Sequence, residues 1–354
     1  MTSEEIRRVC TLWGYGPATV CEPLGATGFS GAALHAVQFA GIAGRHVLKA
    51  FAADAPRERC EWVHRLMRHA RAAGATEVPE MLASADGRTV VTAADGRHWE
   101  LERFVGGRPC ESPSPAAADA ALESVARLHR ALASLPGTAP LRGPSPGAVR
   151  RIEQVRSLLR RPWSMRLPDG GSSAIDGGML GSFQAAERML LSAEGAKALR
   201  AVAEREPAVV PCQAVVRDLW SDHVLFEPAG STRVAGIVDF HAAGVDTPAT
   251  DIARLLGSWR STGSASLVER WREPLASYER MRPLTAEERW LIDWLHASAV
   301  VCGLDNWFRW LVEENRQFPD GNRVAARVSR LLDDLPAAVA WLAAGGSIGL
   351  SSPV

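Results

Sequence analysis

Over the first hundred residues, apolar positions recur in short alternating runs divided by glycine turns; beyond them they settle into the longer period of helices. Thr2 and Glu5 form a capping-box pattern and predict a short helix ending near Gly14. A strand then leads to a glycine-rich turn at Gly25, Gly28 and Gly31. A second strand spans about 33–40, and a turn at 41–44 delivers a third at 45–51. Pro56 opens a helix that Gly74 stops after residue 73. Two more strands flank the Asp95–Gly96 turn, the second ending at Leu101–Phe104. The expected product is an antiparallel sheet carrying one helix.

After Gly106–Gly107 helical periods take over, at about 116–135, 146–161, 180–206, 248–260, 264–281, 286–317 and 322–343. Thr285 and Glu288 repeat the capping-box pattern. Proline, glycine and serine gather at 136–147 and 168–178, which predicts surface loops, and one β-rich stretch, 209–240, is embedded among the helices. A chain of 354 residues exceeds the ~250–300 at which single cores stop growing, so two unequal lobes are expected, 1–105 and 106–354. A cleft between lobes is the usual place for a ligand.

Composition narrows the partners. With 47% hydrophobic and 23% charged residues the chain fits a globular protein. Forty basic residues balance forty acidic ones, which argues against nucleic acid and against an anionic membrane surface as partners. The opening MTSEEIRRVC carries no apolar leader, and the apolar stretch 335–350 is broken by Pro336, Gly345, Gly346 and Gly349. Neither a signal peptide nor a membrane span is expected. Six widely spaced cysteines predict reduced, structural thiols and a cytoplasmic protein. Among the forty basic residues only Lys49 and Lys197 are lysines. A lysine kept on a strand face shared with Val47 and Phe51 points to a compact charge with a task.

The embedded β-rich stretch holds the densest chemistry. Val215 and Val216 finish an apolar strand and deliver Asp218 to a loop; His223–Glu227 and Arg233–Phe240 then form a hairpin around a turn at 228–232. At ~3.3 Å per residue, each arm travels ~17 Å and the second returns the chain to its origin. Asp239 should therefore end beside His223 and near Asp218. Singly, these residues read as a turn cap, a solvated loop charge or a packed or exposed imidazole; together at one mouth they suggest a site.

The segment from Val215 to Arg254 resembles the signature of the aminoglycoside phosphotransferase-like kinases, which share the protein-kinase fold. That family carries H-G-D-x-x-x-x-N, a short hairpin, I-D-F or I-D-W, and later a D-L-A helix. Here the chain reads V-R-D-L-W-S-D-H at 216–223, I-V-D-F at 237–240 and D-I-A at 251–253. The resemblance implies a bilobal α+β fold, with a small antiparallel-sheet lobe carrying one helix and a large, mainly helical lobe. It implies ATP and Mg2+ as cofactors, Asp218 as the catalytic carboxylate that aligns the attacking hydroxyl, and Asp239 as a metal ligand. Lys49 resembles the strand-three lysine, with Glu61 or Glu58 on the following helix as its partner, Glu61 being preferred by spacing. Gly28, Phe29 and Ser30 fall on the loop that covers the phosphates, and Glu102 C=O and Phe104 N–H on the segment that holds adenine.

Two positions depart from the family's pattern. Val216 stands where the family has histidine, so a brace of the loop is missing. His223 stands where it has the magnesium-binding asparagine, and imidazole brings in Mn2+ as an alternative ion or leaves Asp222 to supply the oxygen. Asp251 reads best as a first-turn carboxylate favoured by the helix dipole. His129 reads as a packed histidine, and the tryptophans at 290, 294, 307 and 310 as core rather than an acceptor wall. Asp305, Glu313 and Glu314 are placed to attract a cationic acceptor. The expected function is ATP-dependent phosphorylation of a hydroxyl on a small-molecule acceptor. A kinase of Ser or Thr in a peptide, docked by the loops at 136–147 and 168–178, and a regulatory pseudokinase are the alternatives.

Overall fold

The computed structural model describes residues 3–24, 33–52, 54–138, 141–167, 175, 177–228, 232–260 and 266–346. Its first part runs α1 (Ser3–Thr11), β1 (Ala18–Pro23), β2 (Leu34–Phe39), β3 (Ile42–Ala50), α2 (Arg57–Ala72), β4 (Val91–Thr92) and β5 (His98–Arg103). The five strands form one antiparallel sheet in the order β1-β2-β3-β5-β4. Trp13, Leu48, Ala50, Trp99 and Leu101 are buried on one face of it. Removing each of the two leucine side chains from water contributes ~1.5–3 kcal/mol. The third strand starts earlier than the sequence pattern suggests because the turn lies at Ala40–Gly41; Gly44, at φ +98°, sits inside the strand. The Thr2 capping box falls outside the described residues.

The rest comprises β6 (Arg108–Pro109), α3 (Pro115–Ala133), β7 (Leu141–Pro144), α4 (Pro146–Arg160), α5 (Gly177–Leu191), α6 (Ala193–Ala203), β8 (Val209–Val215), β9 (Val224–Phe226), β10 (Val234–Ile237), β11 (Gly244–Asp246), α7 (Ala249–Ser258), α8 (Leu267–Arg270), α9 (Arg272–Met281), α10 (Ala286–Phe308) and α11 (Gly321–Ala343). Three predicted helices are broken. Ser192 caps a new helix by accepting from Gly195 N at 3.2 Å, and a Cβ on Gly195 would meet Met189 O at 2.2 Å, so 180–206 becomes α5 and α6. Trp271 divides α8 from α9, and the end of the 286–317 helix widens into a π turn over Arg309–Glu313.

Part of the predicted loop at 136–147 is instead a strand: β7 pairs with β8, whose other edge takes β11. The capping box at Thr285 and Glu288 forms as expected. Helix α10 is buried along most of its length, enclosed by α4, α7 and α11, and the charges it buries, Glu288, Asp293 and Asp305, are each hydrogen-bonded. Although α2 lies between β3 and β4 of the small sheet in sequence, its Val63, Leu66, Met67 and Ala70 join the core of the helical part. All six cysteines are free thiols, and burial pushes those of Cys10 and Cys302 up to about 12. Among the described residues no helix is long and apolar enough to cross a membrane.

Candidate active site

At the end of β8 the chain turns sharply, with Arg217 at φ 68°. The buried carboxylate of Asp251, in the first turn of α7, fixes that turn by accepting Val216 N–H at 2.8 Å and Arg217 N–H at 2.6 Å. His129 Nε2 donates to it at 3.0 Å, and Tyr278 O–H completes the chain on His129 Nδ1 at 2.8 Å. Burial outweighs the carboxylate and keeps the His129 imidazole below its ordinary pKa, hence neutral. His129 is indeed a packed histidine. Asp251 does more than complement the helix dipole: it supplies from α7 the brace that the Val216 side chain cannot make.

Asp218 leaves this turn with one oxygen pinned. Its Oδ1 accepts from Trp220 Nε1 at 2.7 Å and from Arg254 Nη2 and Nε at 2.9 and 3.1 Å. Its Oδ2 accepts no hydrogen bond from the described residues. His223 Nδ1–H donates to the Asp218 carbonyl oxygen at 2.7 Å, so the Nε2 lone pair faces outward. That Nε2 lies 3.8 Å from Asp239 Oδ2, and Val238 N–H donates to His223 O at 2.9 Å, closing the hairpin. The predicted convergence of Asp218, His223 and Asp239 is thus present, with all three on one cavity wall.

Asp239 occupies a left-handed conformation, φ 66°, which aspartate is among the few side chains to tolerate. Its Oδ1 accepts Lys49 Nζ at 2.8 Å from the other lobe. Burial would raise this carboxyl, but Lys49, then His223, hold it down to about 2. Among the described residues no three His, Cys, Asp or Glu side chains are grouped as for a metal ion. The protein donors that fit one are His223 Nε2 and Asp239 Oδ2, a mixed nitrogen and oxygen pair. Asp222, the alternative oxygen donor, lines the same cavity and pairs with Arg323 Nη2 at 2.6 Å.

Lys49 is buried, and its carboxylate neighbours are Asp239, Glu100 and Glu102. Burial alone would lower its pKa; these three charges raise it above the ordinary value. Glu61, expected as the partner, is half exposed on α2 and takes Arg57 Nε at 2.8 Å, one turn away on its own helix. The residue that α2 sends inward is His64, whose Nε2 meets Glu100 Oε2 at 2.7 Å. His241, two residues beyond Asp239, meets Glu100 Oε1 at 2.9 Å and stacks on Phe51 at 4.3 Å. Arg59 of α2 donates to the carbonyl oxygens of His241, at 2.8 Å, and Ala243.

Sequence reasoning missed Glu100. The available signal was the strand H-W-E-L-E-R, whose even positions put two carboxylates on one face while Trp99 and Leu101 fill the core.

The adenine-holding pair also needs correction. Phe104 N–H donates to Arg45 O at 2.9 Å, and Glu102 lies within β5, registered against Val47. The Glu102 carboxyl, buried beside Glu100, is pushed up to about 8. One residue further on, Val105 N–H has no partner among the described residues, nor has Gly106 N–H. Gly28, Phe29 and Ser30 lie outside the described residues.

A cavity of about 280 Å³ extends from Asp218 and Asp239 between α4, α7, α10 and α11. Arg151, Arg254, Arg323, Arg327 and Arg330 line it, with Trp220, Trp307 and Trp310. All four late-helix tryptophans pack with the core as expected, Trp294 and Trp307 buried in it and Trp290 and Trp310 half-buried against it, and Trp307 and Trp310 also border the cavity. The acidic late-helix residues are engaged: Asp305 by Trp163 Nε1 and Arg166 Nη1, both at 2.9 Å, Glu313 by Arg166 Nε, and Glu314 by Arg309 Nε at 3.3 Å.

A model of the phosphotransferase enzyme family matches residues 26–284. The chain belongs to that family. A homoserine kinase from Ralstonia nicotianae is 39% identical over 123 residues, 33% of this chain and 36% of the relative, so the match spans about a third of that enzyme's length. A spectinomycin phosphotransferase in complex with ADP and spectinomycin superposes with a TM-score of 0.69 at 9% identity, covering 96% of this chain and 98% of the other. An aminoglycoside phosphotransferase from Alicyclobacillus acidocaldarius gives 0.59 at 14% identity, with 94% of each chain covered. At such identities these likenesses are of fold, the bilobal protein-kinase-like α+β architecture that the motifs imply.

Proposed function

We propose that the protein transfers the γ-phosphoryl group of ATP to a hydroxyl of a small-molecule acceptor. The observation that carries this reading is the Lys49 Nζ to Asp239 Oδ1 pair at 2.8 Å, with His223 and Asp218 on the same cavity wall. Family membership and the ADP-bound spectinomycin phosphotransferase support ATP as the donor. Val105 N–H is a free donor for the adenine edge, and Lys49 is the cation for the phosphates. Asp239 and His223 would hold a divalent ion, Mg2+ or Mn2+, which when bound neutralises phosphate charge.

Asp218 works by its two unlike oxygens. Oδ1 is fixed by Arg254 and Trp220, which orients Oδ2 to accept the proton of the acceptor hydroxyl as it attacks. Glu100, and not Glu61, steadies Lys49. A peptide acceptor gains no support, because Leu141–Pro144 of its expected groove is strand paired with β8. The free thiols fit a cytoplasmic setting.

ADP release from ATP, measured with Mg2+ and with Mn2+ across a panel of small hydroxyl compounds, tests the proposal, alongside calorimetry of ATP binding. Acceptor-dependent release is the expected result. Nucleotide binding without turnover under either metal would replace this reading by that of a regulatory pseudokinase, the alternative that Val216 and His223 motivate.

A further inference from the structure

The wall of the cavity beyond Asp218 carries more arginine than its own carboxylates use. Arg254 holds Asp218 at 2.9 Å, Arg323 holds Asp222 at 2.6 Å and Lys49 holds Asp239 at 2.8 Å. Arg330 donates to the carbonyl oxygens of Gly257, Ser258 and Trp259 at 2.7–2.9 Å, closing the end of α7, and lies beside Asp334. Two guanidiniums remain with no carboxylate bonded to them. Arg151 donates to Gly147 O, within its own helix, at 3.1 Å. Arg327 lies over the Trp220 ring, 3.8 Å from its centroid, and makes no hydrogen bond to the described residues.

Burial pushes both guanidiniums down to about 10, neighbouring arginines add to the effect, and Asp222 near Arg327 and Asp246 near Arg151 offset part of it without bonding to either. Both are half-buried, and the unbonded nitrogens of Arg327 open onto the cavity, so a guanidinium desolvated on one face by Trp220 keeps donors available to an anion from outside. His296 is held neutral in the same wall, pushed down to about 4 by burial and by Arg270, Arg330 and Arg151. The acidic residues that would draw a cationic acceptor, Asp305 and Glu313, are both engaged by Arg166.

We propose that the acceptor is an anionic hydroxy compound, whose carboxylate or phosphate is held by Arg327, in a field strengthened by Arg151, while its hydroxyl reaches Asp218. The inference rests on the phosphotransferase reading for the hydroxyl but not for the anion.

Three four-carbon probes with the same terminal hydroxyl isolate charge: 4-hydroxybutyrate, 1,4-butanediol and 4-amino-1-butanol. Glycerol 3-phosphate against glycerol asks whether phosphate serves in place of carboxylate. Calorimetry on the protein loaded with ADP and Mg2+ should show an anionic probe binding its neutral match's site at least ~10-fold more tightly, as desolvated charge pairs do. Arg327→Gln should erase that preference while ADP affinity stays within about twofold of wild type. The wild-type comparison needs no variant, and a melting curve shows whether Arg327→Gln folds. Equal binding of neutral and anionic probes, tighter binding of the amine, no binding of either anion, or a loss of ADP affinity in Arg327→Gln would overturn the proposal. Preferred binding of an anion without ADP release from ATP would leave this site standing and remove the phosphotransfer reading instead.

Discussion

Lys49 and Glu100 face each other at one register position of the β3–β5 pair, and Glu100 is in turn held by His64 from α2 and His241 from the loop after Asp239. Residues directly opposite in an antiparallel pair have their Cβ atoms ~5 Å apart, so the carboxylate acts on the lysine through space, without pairing with it and with no help from helix placement. Its own pKa would be raised by burial, yet His241, His64 and Lys49 hold it well below the ordinary range. Charge, strand and helix are therefore tied together at one point. Glu100→Gln is expected to lower kcat by up to ~10²-fold through misplacement of Lys49, whereas Glu61→Gln should leave kcat within about twofold. Steady-state ADP release on the two variants decides between the carboxylates.

Asp218→Asn keeps the size and the Oδ1 contacts but removes the proton acceptor. A drop of roughly 10²–10⁴-fold in kcat is expected, with ATP affinity unchanged by calorimetry. An Asn variant with wild-type kcat would take Asp218 out of the chemistry.

Asp251→Asn replaces one acceptor oxygen by an NH2 group that confronts either Val216 N–H or Arg217 N–H. A loss of ~2–3 kcal/mol in urea unfolding is expected, since hydrogen bonds to a buried charge are lost and a donor is left unsatisfied. An unchanged midpoint would show that the clamp is dispensable.

His223→Asn exchanges an imidazole nitrogen for an amide oxygen near Asp239. The ratio of Mg2+-supported to Mn2+-supported ADP release should rise, because magnesium prefers oxygen donors. The same substitution removes the Nδ1–H bond to Asp218 O, so the total rate with Mn2+ should fall. A ratio that stays constant would exclude His223 as a ligand.

His296, pushed down to about 4, titrates below its unfolded value of about 6.5. The sign follows directly: the unfolded chain takes up a proton first, so the stability that this residue contributes is full above pH 6.5 and is lost as pH falls towards 4. Proton-detected NMR should find its ring still neutral at pH 5.5, and the pH dependence of unfolding over that window should flatten in His296→Leu. A ring that titrates near 6.5 would mean that the cavity wall is open to water.

Much of this protein was legible in its chain because the signals are local. The single strand lysine, the Asp95–Gly96 turn, the Thr285 cap and the Asp218–His223–Asp239 spacing each follow from residue type and from the rise and period of backbone elements. The misreadings share one cause. Glu61 lies at a spacing that suits a partner for Lys49, but helix rotation sends His64 inward instead. Phe104 N–H falls one position from a free hinge donor because strand alternation depends on register against β3. Ser192 and Gly195 break a helix that hydrophobic periodicity alone would continue.

The sequence by itself determined the order of elements, the family, and the identity of the carboxylates and the imidazole at the hairpin mouth, because these depend on neighbours within a few residues along the chain. Tertiary structure alone decided which charges meet: Asp239 with Lys49 beside Glu100, Asp251 beneath the turn at Val216, Arg254 on Asp218, and Arg151 and Arg327 with no carboxylate bonded to them. Pairing between distant charges is set by strand register, helix rotation and the desolvation of each group, and these arise only when the lobes pack.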